Sequence, residues 1–359
     1  MRVDALSVEE VSGEEPAALL LAHYDRTARA LPWRSSPGSN AADPYRVWLS
    51  EIMLQQTTVA AVIPYFSAFT TRWPDVHALA DADEADVMAA WAGLGYYARA
   101  RNLIACARMV SRDLGGVFPD SEERLRALPG VGAYTAAAIA AIAFGQRAVV
   151  VDANVERVVA RLFAIDTPLP AGRVDIRAAT DSITPDARAG DFAQAMMDLG
   201  SSLCSARNPV CLPCPLRSGC RAAATGDPAA FPVKAAKAPK PLRQGSAWWI
   251  ESNAGIWLVR RPDKGMLGGM RALPGSDWSI GAVRALPFAG AWRWAGEVRH
   301  VFTHFALDLH VAGVRWAGDA PPSVPGEDGR WWPVDRLDEA GLPTLFARAA
   351  TLVRENISG

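Results

Sequence analysis

The stretch "LRALPGVGAYTAAAIAAIAF", residues 125–144, holds a tight turn, Leu128 to Gly132, between two helical patterns. Gly130 and Gly132 let the backbone approach something closely, and the N–H groups opening the second helix face outward. That geometry holds a phosphate without any basic side chain. Taken alone, such a turn serves equally well as a plain helix–helix connection. The residues C-terminal to it tip the balance.

Immediately downstream, "FGQRAVVVDANVERVVARLF", residues 144–163, ends an apolar run on Asp152, which has no basic residue beside it. An Asp before a helical pattern is first of all an N-cap, accepting otherwise orphaned N–H groups. The competing reading is a carboxylate held ready for a positive charge that develops during a reaction. The local sequence leaves both open.

Working outward, the 359 residues suffice for two domains, and half hydrophobic with 21% charged is an ordinary globular composition. No apolar run reaches membrane-span length, and the acidic opening "MRVDALSVEEVSGEEP" is not a secretory signal, so a cytoplasmic protein is expected. Residues 1–16 read as an acidic disordered tail and 17–224 as Ala-rich helices with Gly and Pro at the joints. Pro, Ala and Lys then dominate residues 225–245, a linker composition. From 246 to 359 the character changes to α+β. "SAWWIESNAGIWLVRRP" reads as a hairpin around Asn253–Gly255, and "HVFTHFALDLHVAGVRW" alternates like a half-buried strand. Nine of the 13 Trp lie beyond residue 245, which supports a second domain with a core of its own.

The formal net charge of −1 argues weakly against a polyanion partner, but its distribution reverses that. Residues 1–15 carry Asp4, Glu9, Glu10, Glu14 and Glu15 against Arg2, a net −4, which leaves +3 elsewhere. Arg99, Arg101, Arg108 and Arg112 form one basic cluster, and Lys234, Lys237, Lys240 and Arg243 another. Local stripes make the footprint on a nucleic acid; solvated helix faces are the plainer alternative for each.

Two further features carry chemistry. Cys204, Cys211, Cys214 and Cys220 fall within 17 residues, spaced C-x6-C-x2-C-x5-C, in a chain with one other cysteine. Four thiols in a compact, Pro-bounded loop form a ligand set, for a [4Fe–4S] cube or, on the same ligand type, for zinc. The lone Cys106 is a small buried hydrophobe. In "ADPYRVWLSEIMLQQTTVAAVIPYF", Asp43 and Pro44 open a helix, and Glu51 sits inside it among Leu49, Ile52 and Met53 with no charged partner at i±4. A desolvated carboxyl keeps its proton to higher pH, as a general acid near neutrality must. An exposed helical Glu is the alternative.

In this order, "SEIMLQQT", "LPGVG", "VDANVERV" and the Cys loop resemble the helix–hairpin–helix DNA glycosylase superfamily, in its iron–sulfur branch. "LPWR" (31–34), "PYRVWLSEIMLQQT" (44–57), "GLGYYARARNL" (93–103) and "FTH" (302–304) narrow the resemblance to MutY-type adenine DNA glycosylases, over nearly the whole chain. The fold it implies is an all-α helix–hairpin–helix core with an iron–sulfur loop, joined to a C-terminal α+β MutT/Nudix-like domain. The function it implies is monofunctional hydrolysis of the N-glycosidic bond of adenine mispaired with 8-oxoguanine or guanine, in base-excision repair. Double-stranded DNA carrying those mispairs is the expected partner, [4Fe–4S] the cofactor with Cys204, Cys211, Cys214 and Cys220 as ligands, and a monomer the expected state.

The same resemblance implies the site residues. Glu51 matches the acid that protonates the extruded adenine, Asp152 the carboxylate that stabilises the sugar oxocarbenium ion, and Asn154 the residue that orients it. Tyr134 stands where bifunctional relatives such as endonuclease III carry a catalytic lysine. Arg29, Leu31, Trp33, Arg34 and Gln194 match the adenine pocket, although core or surface roles compete for each. Gln56, Thr57 and Tyr96, with Gly130 and Gly132, match DNA contacts, while Phe302, Thr303 and His304 match the loop that reads 8-oxoguanine. The chain departs from the family at Ala153, Thr303, Leu267 and Ala272, which stand for Gly, Ser, Trp and Glu.

Three rivals carry less. A bifunctional glycosylase/lyase lacks its amine at Tyr134, a pyrophosphohydrolase lacks a Glu-rich metal helix after residue 265, and an electron carrier leaves Glu51 and Asp152 without purpose.

Overall fold

The computed structural model describes residues 14–39, 42–235, 239–262, 264–321 and 324–356. The chain divides into two compact units, 1–236 and 237–359. No helix among the described residues is long and apolar enough to cross a membrane.

The first unit is helical: α1 (Glu14–Thr27), α2 (Pro44–Met53), α3 (Val59–Arg72), α4 (Val76–Ala80), α5 (Glu84–Ala90), α6 (Ala98–Asp113), α7 (Glu122–Arg126), α8 (Ala133–Phe144), α9 (Ala153–Leu162), α10 (Arg173–Ile183), α11 (Ala189–Ser201) and α12 (Arg221–Ala224). Capping explains many of the starts. Asp43, Thr58, Asp75, Asp83, Ser121 and Asp152 each accept an N–H from the first turn with the side chain. Every residue of α8 from Thr135 to Ala141 is buried, so Ala-rich α8 is the unit's central helix. Two apolar cores result. One gathers α2 to α8 around Trp48, Phe66, Phe69 and Trp91; the other gathers α1, α9, α10 and α11 around Tyr24, Val159, Phe192 and Met196. Helix α11 packs on both α8 and α9 and so joins the cores.

The second unit is a mixed sheet: β1 (Leu242–Ser252), β2 (Gly255–Arg260), β3 (Arg271–Ala272), β4 (Arg293–Val301), β5 (Ala306–Arg315) and β6 (Glu327–Trp332). The strand order is β3-β2-β1-β5-β4, with β6 also paired to β2; β1 and β5 run parallel and the other pairs antiparallel. Helix α13 (Thr344–Asn356) covers one face through Leu345, Phe346 and Val353. A Trp-rich cluster, Trp248 with Trp257, Trp292 and Trp316, covers the other. Adjacent Trp248 and Trp249 therefore serve opposite faces, as strand geometry requires.

Four expectations change. Helix α1 starts at Glu14, inside the expected tail, whose first 13 residues lie outside the described ones. The expected linker 225–245 is ordered over much of its length: a 3-10 turn spans Pro228–Ala230, Lys234 pairs with Leu169, and β1 begins at Leu242 against Ala306. The expected half-buried strand is two elements, with β4 ending at Val301 and β5 buried on nearly every residue. Its place between β1 and β4, under clusters on both faces, removes the solvent side. Arg99 is no surface cation but a donor to backbone carbonyls of the α2 C-terminus. The hairpin around Asn253–Gly255 is present as β1–β2.

Candidate active site

Glu51 lies on α2, 7% exposed, between apolar Leu49, Ile52 and Met53, all buried. Burial pushes its carboxyl up to about 7, and the nearby Asp152 charge adds to the rise. A hydrogen bond from Tyr134 and the Arg34 charge act in the opposite direction. Tyr134 opens α8, just after the Gly130–Gly132 turn, and burial with the Glu51 and Asp152 charges holds its phenol well above the usual range. Glu51, Tyr134 and Asp152, from three helices, thus sense one another at the seam between the two helical cores.

Asp152 caps α9, so the capping reading is correct as far as it goes. Its Oδ1 accepts the N–H groups of Asn154 (2.8 Å) and Val155 (2.7 Å). Its Oδ2 accepts Asn154 Nδ2 at 2.9 Å. The side chain of Asn154 in turn receives Arg157 Nη2 at 2.9 Å. Arg157 also donates to the carbonyls of Cys204 (2.8 Å) and Gly200 (2.6 Å). A Cβ on Gly200 would stand 2.6 Å from that of Asn154, so α11 meets α9 here because position 200 has no side chain.

One helical turn beyond Arg157, Arg161 is 1% exposed yet satisfied, donating to Ser205 (2.7 Å), Ala206 (3.0 Å) and Phe231 (3.0 Å) carbonyls. Its Nη1 lies 3.3 Å from Cys204 Sγ. Cys204, Cys211, Cys214 and Cys220 are all free of disulfides and ring one cavity with Arg161 and Leu216. Among the described residues no group of three or more His, Cys, Asp or Glu side chains is drawn together as for a single metal ion. Cys106 is fully buried in the helical core, as expected.

Of the residues expected to frame the base pocket, two arginines converge on one carboxylate. Arg29 and Arg34 both bind Asp198, Arg29 Nε at 2.6 Å and Arg34 Nη1 at 2.7 Å. Burial acts to raise Asp198, but the bonds and charges of Arg34 and Arg29 prevail and hold it below the usual carboxylate range. Sequence reasoning misses Asp198; its only trace is its position one turn after Gln194 on α11. Gln194 is buried and donates to Gly190 at 3.3 Å. Trp33 packs edge-on to Phe66 in the core, 5.2 Å between centroids, and Leu31 packs against the same core.

Gln56 and Tyr96 both adopt left-handed backbone, φ 57° and 49°, a conformation that costs non-glycine residues free energy and clusters at functional sites. Tyr96 is 63% exposed. Arg99 ties the two loops together, donating to Ile52, Met53 and Gln55 carbonyls on one side, to Leu94 on the other, and to the Thr57 hydroxyl at 3.2 Å. Its place among the basic surface residues is therefore corrected; local sequence gives no sign of this role, because most of its acceptors lie more than 40 positions away. In the turn, Gly130 has φ 75°, while a Cβ on Gly132 would meet nothing within 4 Å. Gly130 is needed for the bend and Gly132 leaves the backbone open.

In the second unit, Phe302, Thr303 and His304 form the turn between β4 and β5, with Thr303 and His304 exposed. Lys240 Nζ holds the Phe302 carbonyl at 2.6 Å, and the Phe302 ring stacks on Trp278, 5.6 Å between centroids. Lys237 lies outside the described residues.

Residues 49–176 match the model of the HhH-GPD superfamily base excision DNA repair proteins, and 246–352 that of the NUDIX domain. The chain is 35% identical to a Homo sapiens adenine DNA glycosylase over 92% of its own length and 72% of the relative's. It is 43% identical to the adenine DNA glycosylase of Mycolicibacterium smegmatis (strain ATCC 700084 / mc(2)155), over 58% of this chain and 70% of that one. Among solved structures, a thermostable thymine-DNA glycosylase is 26% identical with a TM-score of 0.54, over 61% of this chain and all of that one.

Proposed function

This chain belongs to the adenine DNA glycosylase family, and from that premise we propose that it removes adenine mispaired with 8-oxoguanine or guanine in duplex DNA by hydrolysis without strand cleavage. The observation that carries the reading is Glu51: a buried carboxyl poised near neutrality beside Tyr134 and Asp152.

Chemistry on a base needs the nucleotide out of the stack, at a few kcal/mol. Gln56 and Tyr96, on loops braced by Arg99, enter the gap, while the open turn at Gly130–Gly132 holds the strand by backbone N–H groups. The Glu51 carboxyl gives its proton to the departing adenine, which leaves neutral. Asp152, fixed by three donated hydrogen bonds, sets its carboxylate against the oxocarbenium ion on the sugar. Water then adds to the anomeric carbon of the sugar cation and its proton passes to the Glu51 carboxylate, which completes the hydrolysis and restores the acid. Tyr134 supplies a hydrogen bond to Glu51 and no amine, so no Schiff base forms. Gln194 and the Arg29–Asp198–Arg34 triad frame the base pocket, and Phe302, Thr303 and His304 read the opposite base.

The four cysteines would hold a [4Fe–4S] cluster. In support, their thiols ring one cavity, and Arg161 beside Cys204 suits the negative charge of thiolate-bound iron. The cluster would supply a rigid brace for the loop; α9 carries that brace's neighbours, Arg157 and Arg161, on one stripe with Asn154. Action as a monomer in the cytoplasm completes the reading.

A nicking assay on an A:8-oxoguanine duplex, with and without alkali, tests it. Cleavage at the adenine only after alkali or heat is expected. Spontaneous nicking would favour a lyase, and an untouched duplex would refute the glycosylase reading.

A further inference from the structure

A second cavity, of about 470 Å³, opens in the C-terminal unit, where β2, β3 and β6 meet, far along the sheet from the Phe302 turn. Arg260, Arg271 and Arg330 line it, together with Asp328 and Gly269. Strand register forces the crowding. Arg260 stands directly opposite Arg271 in the β2–β3 pair, and like charges so placed repel. Arg260 has compensation, with Asp328 at 3.9 Å and Glu327 opposite it on β6. Arg271 and Arg330 have none: among the described residues neither forms an ion pair. Instead both guanidinium groups lie over the ring of Trp332, at 4.4 Å and 5.0 Å from its centroid. The Arg330 charge acts directly on Arg271.

Most telling is Arg271 Nη1, which is buried and has no hydrogen-bond partner. A buried donor left unsatisfied costs about 1–3 kcal/mol, and more when charged. Two cations held on one indole beside a roomy cavity, one of them with an unsatisfied buried donor, form a site short of an anion. A carboxylate would answer one guanidinium. A phosphate can reach both: a backbone diester offers one charge on two non-bridging oxygens, and a terminal phosphate offers near-double charge on three.

We propose that this cavity binds a phosphate group through Arg271 and Arg330, carried either by the backbone of a DNA strand or by a free nucleotide. The site is independent of the excision chemistry, and its test does not use excision.

Inorganic pyrophosphate titrated calorimetrically into the full-length protein, and an undamaged duplex titrated across a salt series, separate the two carriers. Arg330→Glu and Arg271→Met are compared with wild type, thermal melts serving as the folding control. Arg330 is exposed, so Arg330→Glu reports even if Arg271→Met proves unstable. A backbone phosphate predicts that the slope of log K against log salt falls by about 1 for each arginine removed. A free nucleotide predicts that pyrophosphate binding weakens at least about tenfold while the duplex slope is unchanged. If neither pyrophosphate affinity nor the duplex slope responds to Arg330→Glu, the proposal is overturned.

Discussion

Arg157 Nη2 donates to Asn154 Oδ1 at 2.9 Å, and the amide of Asn154 donates from its other end to Asp152 Oδ2 at 2.9 Å. The guanidinium thereby fixes which way the amide points. With its oxygen committed to Arg157, Asn154 must present its NH2 to the carboxylate. Because Arg157 also holds the carbonyls of Gly200 and Cys204, the orientation of Asp152 is tied to the start of the cysteine loop.

Arg157→Gln should therefore reduce excision by roughly 10-fold to 10²-fold, the scale of a misplaced catalytic group. Duplex affinity should stay within a few-fold of wild type. Single-turnover kinetics beside a binding titration would check this, and an unchanged excision rate would sever the link between Arg157 and Asp152.

Glu51 yields a pH prediction whose sign is fixed. Its folded-state value is raised from 4.5 to about 7, so the stability it contributes is complete below about 4.5 and is lost as pH rises through about 7. At 1.36 kcal/mol for each unit, ionised Glu51 costs the fold about 3 kcal/mol at alkaline pH. Glu51→Gln should thus melt with wild type near pH 4 and above it at pH 8, while losing excision. Wild-type excision should itself decline above about pH 7 as the acid loses its proton. Equal melting of the two proteins at pH 8 would show that Glu51 is not held protonated by burial.

Arg99→Met should destabilise the helical unit by about 2–3 kcal/mol, since loss of a charged donor leaves several carbonyls unanswered. Freed from their brace, the Gln56 and Tyr96 loops should also bind a lesion duplex more weakly. Denaturant unfolding and a binding titration separate the two effects. Full stability with normal binding would make Arg99 dispensable.

Glu51 and Asp152 leave local signals in the amino-acid order, an unpartnered Glu inside an apolar helix and an Asp at a helix start, whereas Asn154 stands out only through the family resemblance. The four cysteines are legible from spacing. Asp198, Arg99 and Arg161 are not, because each takes its meaning from partners more than 40 positions away, and nothing in the chain order marks an arginine as inward-facing. The strands show the same limit. Alternation in residues 300–316 suggests one exposed face, yet β5 lies mid-sheet beneath apolar clusters on both sides. The Pro- and Lys-rich segment before Leu242 looks unable to fold, but pairing of residues 242–245 with 306–309 recruits its end into β1.

Asp152→Asn asks whether the cap and the catalytic carboxylate are one group with two duties. An asparagine there keeps one oxygen for the N–H groups of Asn154 and Val155, and Asn caps about as well as Asp, so the melting temperature should fall little. The other terminus becomes an NH2 facing the NH2 of Asn154, where the carboxylate oxygen had accepted at 2.9 Å. Asn154 cannot turn over to relieve this without presenting its NH2 to Arg157. The charge that would face the sugar cation is gone in either case. Loss of such electrostatic stabilisation should lower the single-turnover rate by roughly 10²-fold or more. Binding to an A:8-oxoguanine duplex should persist, because phosphate contacts and base reading lie elsewhere. A soluble, DNA-binding Asp152→Asn protein that excises adenine at the wild-type rate would reduce Asp152 to a helix cap.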